Sequence, residues 1–190
     1  MKISINDYAL GAGVATDLVN TAPEVHAAGE ALPDPESLSR FLADHAVALD
    51  APGPSAADLR TVRALRTRTR AVLAAASEDA AVRGAAALAE RAAAGPVLER
   101  DGDGGWQWYA TTAARARLAD ELGALMGVGL LGAVRALGHG RFRACASPVC
   151  DGMFVDTSRA GRRRYCMPEL CGNRIHVADH RARRRGGPGG

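Results

Sequence analysis

Apolar residues recur along this chain at helical spacing in several stretches, and the punctuation between them predicts where each element begins. Leu38, Phe41, Leu42, His45 and Leu49 follow Asp34-Pro35-Glu36-Ser37, in which Asp then Pro is a helix-start signal. Past the break at Ala51-Pro52-Gly53-Pro54, Ser55 caps a second helix with Asp58 in its first turn and Leu59, Val62, Leu65, Val72 and Leu73 facing inward. Residues 80–94 read as an alanine-rich third helix. A long helix from Thr112 carries Leu118, Leu122, Leu125, Met126, Leu130, Val134 and Leu137, and its glycines at 123, 127, 129 and 132 either permit close helix contact or mark a break at 127–129. Between these helices, residues 97–100 and 106–109 flank Asp101-Gly102-Asp103-Gly104-Gly105, the signature of a hairpin rather than a phosphate cradle, which would need GxxxxGK(S/T). The run 8–25 mixes glycine with Leu18 and Val19 and yields no assigned element.

At 190 residues the chain has room for one domain, or one domain and a small module, and 47% hydrophobic content supports a buried core. Aromatic residues make up only 4%, and the abundance of alanine suits close helix packing better than a large enclosed cofactor pocket. The net charge of +3 conceals a split: residues 141–185 hold 11 Arg against 4 Asp plus Glu, a charge of +7, so the remainder carries −4. Such asymmetry points the basic portion toward a polyanion. Arg60, Arg63, Arg66, Arg68 and Arg70 on the second helix read instead as a solvated face, and His45 as a core histidine with its bonds satisfied. With no basic leader before an apolar run and no stretch approaching the ~18 apolar residues of a membrane span, a cytoplasmic protein with no membrane partner is expected.

All four cysteines lie between positions 145 and 171, as Cys145-Ala-Ser-Pro-Val-Cys150 and Cys166-Met-Pro-Glu-Leu-Cys171, with fifteen residues between the pairs. In a reducing compartment such pairs read as metal ligands, and four thiolates fill a tetrahedral zinc site completely, leaving no position for water or substrate. One structural Zn2+ held by Cys145, Cys150, Cys166 and Cys171 is therefore expected. Met153-Phe154-Val155-Asp156 reads as a strand, 158–161 as a turn and 162–165 as the returning strand, with a helix starting near Gly172. On that helix Arg174, Arg181 and Arg185 lie within about 40° of one another. Arginine forks match phosphate oxygens. Arg162, Arg163, Arg164, Arg174, Arg181, Arg184 and Arg185 are accordingly the candidate nucleic-acid contacts, while His176 and His180 are weaker candidates for metal than the cysteines.

The run from Cys145 to Arg185 resembles the CGNR-type zinc finger, whose signature stands here as Cys171-Gly172-Asn173-Arg174, preceded by Phe154-Val155-Asp156 and Arg163-Arg164-Tyr165-Cys166. Upstream, Asp17-Leu18-Val19-Asn20-Thr21 resembles the ABATE domain that accompanies such fingers in bacterial proteins described as stress-induced transcription regulators. The resemblance implies a DNA-binding regulator. Tyr165 stands where that family commonly has tryptophan, and His176 where it commonly has a basic residue.

The expected fold is mainly α with a small β-hairpin (α+β): a helical domain over 1–138 that senses a signal or forms a homodimer, a treble-clef-like zinc finger over 139–185 hinged at Gly138-His139-Gly140, and a disordered tail over 186–190. The leading function is DNA binding. A protein-interaction or redox module and an RNA binder are the alternatives, and no catalytic motif is found that would make the chain an enzyme.

Overall fold

A computed structural model describes residues 1–25 and 29–172. The elements run β1 (Lys2–Ser4), α1 (Tyr8–Asn20), α2 (Pro35–Asp44), α3 (Ala56–Leu73), α4 (Glu78–Glu90), β2 (Ala93–Arg100), β3 (Trp106–Thr112) and α5 (Leu118–Leu137). A 3-10 turn (His139–Arg141), β4 (Phe142–Ala144), β5 (Met153–Val155) and a single π-helical turn (Pro168–Gly172) complete the described chain. Mainly helical structure with two small antiparallel sheets is the α+β architecture expected. Among the described residues no helix is long and apolar enough to cross a membrane.

α5 is the axis of the body, packed against α4 on one side and α1 on the other. The approach is close because small residues line both seams. A Cβ added at Gly129 would lie 2.6 Å from the backbone of Gly11 and Ala12 on α1, and one at Gly127 would lie 2.6 Å from the backbone of Ala85 and Ala89 on α4. These glycines therefore serve helix contact, and α5 continues through them without a break. Leu18, Leu65, Leu122, Met126 and Leu130, all fully buried, fill the space between the helices. α2 and α3 begin where their caps predicted: Asp34 accepts from the Ser37 amide and Ser55 from the Asp58 amide, each reciprocated in a capping box.

Several boundaries differ from the sequence expectation. The unassigned run contains α1, whose buried residues include Gly11, Ala12, Val14, Ala15, Thr16, Leu18, Val19 and Asn20, so burial spreads around the helix and no amphipathic stripe marks it. α2 stops at Asp44, His45 is its C-cap, and Ala46 at φ +51° turns the chain before Leu49. Ala93 and Ala94 leave the third helix for β2, and Thr112 belongs to β3. β3 pairs with β2 as a hairpin and also with β1, so the expected two strands form a three-stranded sheet in the order β1-β3-β2.

The arginine face of α3 is only partly solvated. Arg66 is buried, with its two terminal nitrogens 2.6 and 2.7 Å from the Glu30 carboxylate and one of them donating to Thr21. Arg63 donates to the Leu32 carbonyl, and Arg70 reaches the Asp151 carbonyl beside the cysteine pairs. Arg60 and Arg68 remain exposed, as expected. His45 has partners at both ring nitrogens: Nδ1 lies 2.8 Å from the Phe41 carbonyl and Nε2 lies 2.9 Å from Asp17. The Asp17 hydrogen bond raises its pKa above the ordinary histidine value, against an opposing push from burial.

Two outcomes follow for stability. Gly129→Ala is expected to cost about 2 kcal/mol through overpacking and to lower Tm by several degrees, whereas Gly13→Ala, whose Cβ meets nothing within 4 Å, gains up to about 1 kcal/mol; thermal melts of both variants check the contrast. Because folding raises the His45 pKa, the pair's contribution is full below the unfolded value of about 6.5 and is lost as pH rises through the folded one. Urea melts across that range should show wild type losing a few tenths of a kcal/mol and His45→Gln showing no such loss.

Candidate metal centre

The four cysteines converge beside the β4–β5 hairpin. β4 pairs antiparallel with β5, Phe142 opposite Val155 and Ala144 opposite Met153, and the ladder extends through the Cys145 amide to the Gly152 carbonyl at 2.8 Å. That closes the first loop, in which the Cys150 amide donates to Ser147. In the second loop the Leu170 and Cys171 amides both donate to the Met167 carbonyl, and the Ala146 amide donates to Arg164, tying the two loops together. Each tight turn thus aims two sulfurs at one point.

The sulfur spacing fits zinc. Zinc–sulfur bonds of about 2.3 Å set the corners of a regular tetrahedron about 3.8 Å apart. The Sγ atoms of Cys150 and Cys166, Cys171 and Cys150, and Cys166 and Cys171 are 3.5, 3.7 and 3.8 Å apart, and all four lie within 4.8 Å of one another. Cys145, Cys166 and Cys171 are buried with Phe154 in a small core of their own, against which Tyr165 and Met167 pack. Burial and the neighbouring sulfurs push the Cys166 thiol up, and burial likewise raises Cys171. For Cys145 burial works in the same direction, but backbone donors at Cys166 and Ser147 prevail and lower it. Four thiolates this close repel, and a dication compensates them all at once.

Asp156 organises the loop between the pairs. Fully buried, it accepts from the amides of Ser158 and Arg163 at 3.1 and 3.0 Å, from the Ser158 hydroxyl, and from Arg143 at 3.2 Å. Burial alone would raise its pKa, yet these donors hold it below the usual carboxylate value. This network replaces the returning strand expected at 162–165, which is not a strand. β5 pairs instead with β4, and its opposite edge belongs to α1: Asn20 accepts from the Met153 amide and donates to the Met153 carbonyl, while Thr16 accepts from the Val155 amide. The segment expected as a hinge is a 3-10 turn after Gly138 at φ +80°, and the hairpin beyond it is fastened to the helical body.

Arg162 and Arg164 are exposed, as a nucleic-acid contact requires, with Arg164 lying beside the Tyr165 ring. Arg163 is turned inward, donating to the carbonyls of Tyr165 and Cys166 with its guanidinium 4.9 Å from the centre of the Phe154 ring. Arg174, Arg181, Arg184 and Arg185 lie outside the described residues, as do His176, His180, the expected helix after Gly172 and the tail 186–190.

Two family models match the chain. One, the CGNR zinc finger, covers residues 141–184; the other, ABATE, described as "Putative stress-induced transcription regulator", covers residues 12–139. The chain belongs to the ABATE family. A search of curated proteins finds no match. With a CGNR finger whose cysteines have this geometry, the cofactor is one structural zinc ion.

In this ABATE chain the motif Asp17-Leu18-Val19-Asn20-Thr21 does several jobs at once. Asp17 holds His45, Leu18 and Val19 enter the core, Asn20 clamps β5 and Thr21 receives Arg66. Sequence reasoning missed Thr16, Asn20, Arg70, Gly152 and Asp156 as supports of the metal site. Two of them carried a signal, Asp156 as part of the Phe154-Val155-Asp156 pattern and Asn20 as part of Asp17-Leu18-Val19-Asn20-Thr21.

Gly152 is the tightest of these supports. A Cβ there would lie 2.4 Å from Cys166 Sγ and 2.9 Å from Asn20 Oδ1. Gly152→Ala is expected to weaken zinc binding about 10-fold or more, as loss of an outer support does, while Gly140→Ala, with open space around it, keeps one zinc per chain. Competition with a chromophoric chelator checks both variants.

Proposed function

We propose that this protein is a DNA-binding transcription regulator of the reducing cytoplasm, in which zinc makes the finger rigid and exposed arginines grip phosphate. The observation that carries this reading is the division of labour among the finger's arginines. Arg141, Arg143 and Arg163 are spent internally on Asp156 and on backbone carbonyls. Arg159, Arg162 and Arg164 project into solvent from the loop those bonds hold. Guanidiniums on a braced loop lose less conformational freedom on docking than the same groups on a slack one. Arg174, Arg181, Arg184 and Arg185 add to the same basic segment of sequence. Since a four-thiolate site has no open coordination position, the metal's role in this reading is structural and the finger binds rather than catalyses.

A second reading is favoured by one feature of the knuckles. Val149 and Leu170 each immediately precede the second cysteine of a pair, and they are 73% and 51% exposed. Two apolar side chains at equivalent places beside the metal suit a protein partner better than phosphate. Val149→Ser with Leu170→Ser separates the readings, since a DNA surface built on arginine keeps its salt dependence in that variant.

If about five arginines each neutralise a phosphate, log K for duplex DNA should fall with log salt at a slope near −4.5. Arg162→Gln with Arg164→Gln should make that slope shallower by about 1.8 and leave zinc content intact. Arg163→Gln should instead lower zinc affinity. Salt-independent association, or equal slopes for wild type and the Arg162/Arg164 variant, would sink the proposal, and RNA outcompeting DNA would redirect it.

A further inference from the structure

α3, α4 and the start of α5 flank two adjoining, solvent-open clefts on the body, far in sequence from the finger. One, of about 480 Å³, is lined by Ala71, Val72, Ala87 and Leu88; the other, of about 460 Å³, is lined by Thr67, Arg117 and Asp120. Arg68 and Arg91 line both, so the two form one trough, with its larger aliphatic side chains at one end (the apolar half) and Arg117 with Asp120 at the other. Each half lies within the roughly 300–1,000 Å³ of small-molecule sites. Gly84 sets the depth of the apolar half, because a Cβ there would lie 2.8 Å from Val72 Cγ2.

We propose that this trough binds a small amphipathic carboxylate, with its tail among Ala71, Val72, Ala87 and Leu88 and its head on Arg68, Arg91 and Arg117. Charge selects the head. Arg91 Nε lies 2.8 Å from Asp120, which leaves its terminal nitrogens for another acceptor. Arg68 and Arg117 make no ion pair or side-chain hydrogen bond among the described residues, so three guanidiniums face a single carboxylate. Planar guanidinium forks match a carboxylate in bidentate fashion. Arg117 is also the N-cap of α5 and supplies no side-chain cap, so the positive end of a 20-residue helix adds to the potential at this end.

The apolar half selects the tail. A phosphodiester chain has nothing to place among alanine, valine and leucine side chains, whereas an alkyl or aryl acid buries there what it would otherwise expose to water. The chain's own residues 173–190 are a poor occupant, since they carry five arginines against one aspartate. α3 connects the trough to the metal centre: Arg68 and Ala71 line the cavity, and Arg70 between them donates to Asp151 next to Cys150. Octanoate binding at the trough does not depend on DNA binding.

The test is calorimetric titration of the full zinc-loaded chain with octanoate, with octylammonium (same tail, opposite charge) and acetate (same head, no tail) as comparisons. Octanoate should bind saturably and both comparisons at least 10-fold more weakly. Arg68→Gln with Arg117→Gln should weaken octanoate at least 10-fold at unchanged helix content, and Ala71→Glu, which places a carboxylate in the exposed wall, should do the same. No saturable octanoate binding, equal binding of octylammonium, or equal octanoate affinity in the arginine variant each overturns the proposal. So does an arginine variant that loses duplex DNA affinity while wild type ignores octanoate, which would assign the trough to the DNA path.

Discussion

Strand β5 (Met153–Val155) is hydrogen-bonded along both edges, and the edges serve different parts of the molecule. Backbone groups of Gly152 and Asp156 face β4, while those of Met153 and Val155 face Asn20 and Thr16 on α1. The side chains alternate too: Phe154 enters the small core beneath the cysteines and Val155 enters the main helical core. A shift of one residue would exchange both sets at once, so the register of three residues fixes where the metal centre stands on the body. Asn20 makes this possible from the last residue of α1, where its side chain also donates to the Thr16 carbonyl, so that both amide hydrogens and the oxygen have partners.

The arginine content of the basic segment has two physical origins that charge counting merges. Buried Asp156 is stable as an anion because two amides, a hydroxyl and Arg143 converge on it, and Arg143 and Arg141 in turn satisfy loop carbonyls that have no ladder partner. These arginines replace secondary structure in a loop too short to form it. The remaining exposed ones shape the field outside. The same division appears on α3, where Arg66 links Thr21 to Glu30 and Arg70 reaches the first knuckle.

What the sequence makes legible follows the range of the interaction. The helix caps at Asp34 and Ser55 and the hairpin turn at Asp101–Gly105 are local, with partners within a few residues, and the cysteines mark themselves by residue type and paired spacing; each is found where its spacing places it. α1 is missed because burial on nearly all sides erases the period that marks an amphipathic helix. Asn20 meets Met153 across 133 positions, and Arg66 meets Glu30 across 36, so nothing beside either residue signals its partner. The returning strand at 162–165 fails for a related reason: its residue types allow a strand, but β4 and α1 already occupy both edges of β5.

Gly152 brings these constraints to one atom position. Its missing side chain leaves room for Cys166 sulfur on one side and the Asn20 carboxamide on the other, so the metal site and the helix clamp compete for the same space. A core of four residues is too small to persist on hydrophobic burial alone, and the zinc ion supplies the cohesion it lacks. The knuckle lies close enough for Asn20 to make both of its bonds to Met153, so a separation of the sulfurs moves the Gly152 turn against that clamp. Metal occupancy and the seating of the hairpin on α1 are therefore coupled by contact, through a position that only glycine can fill.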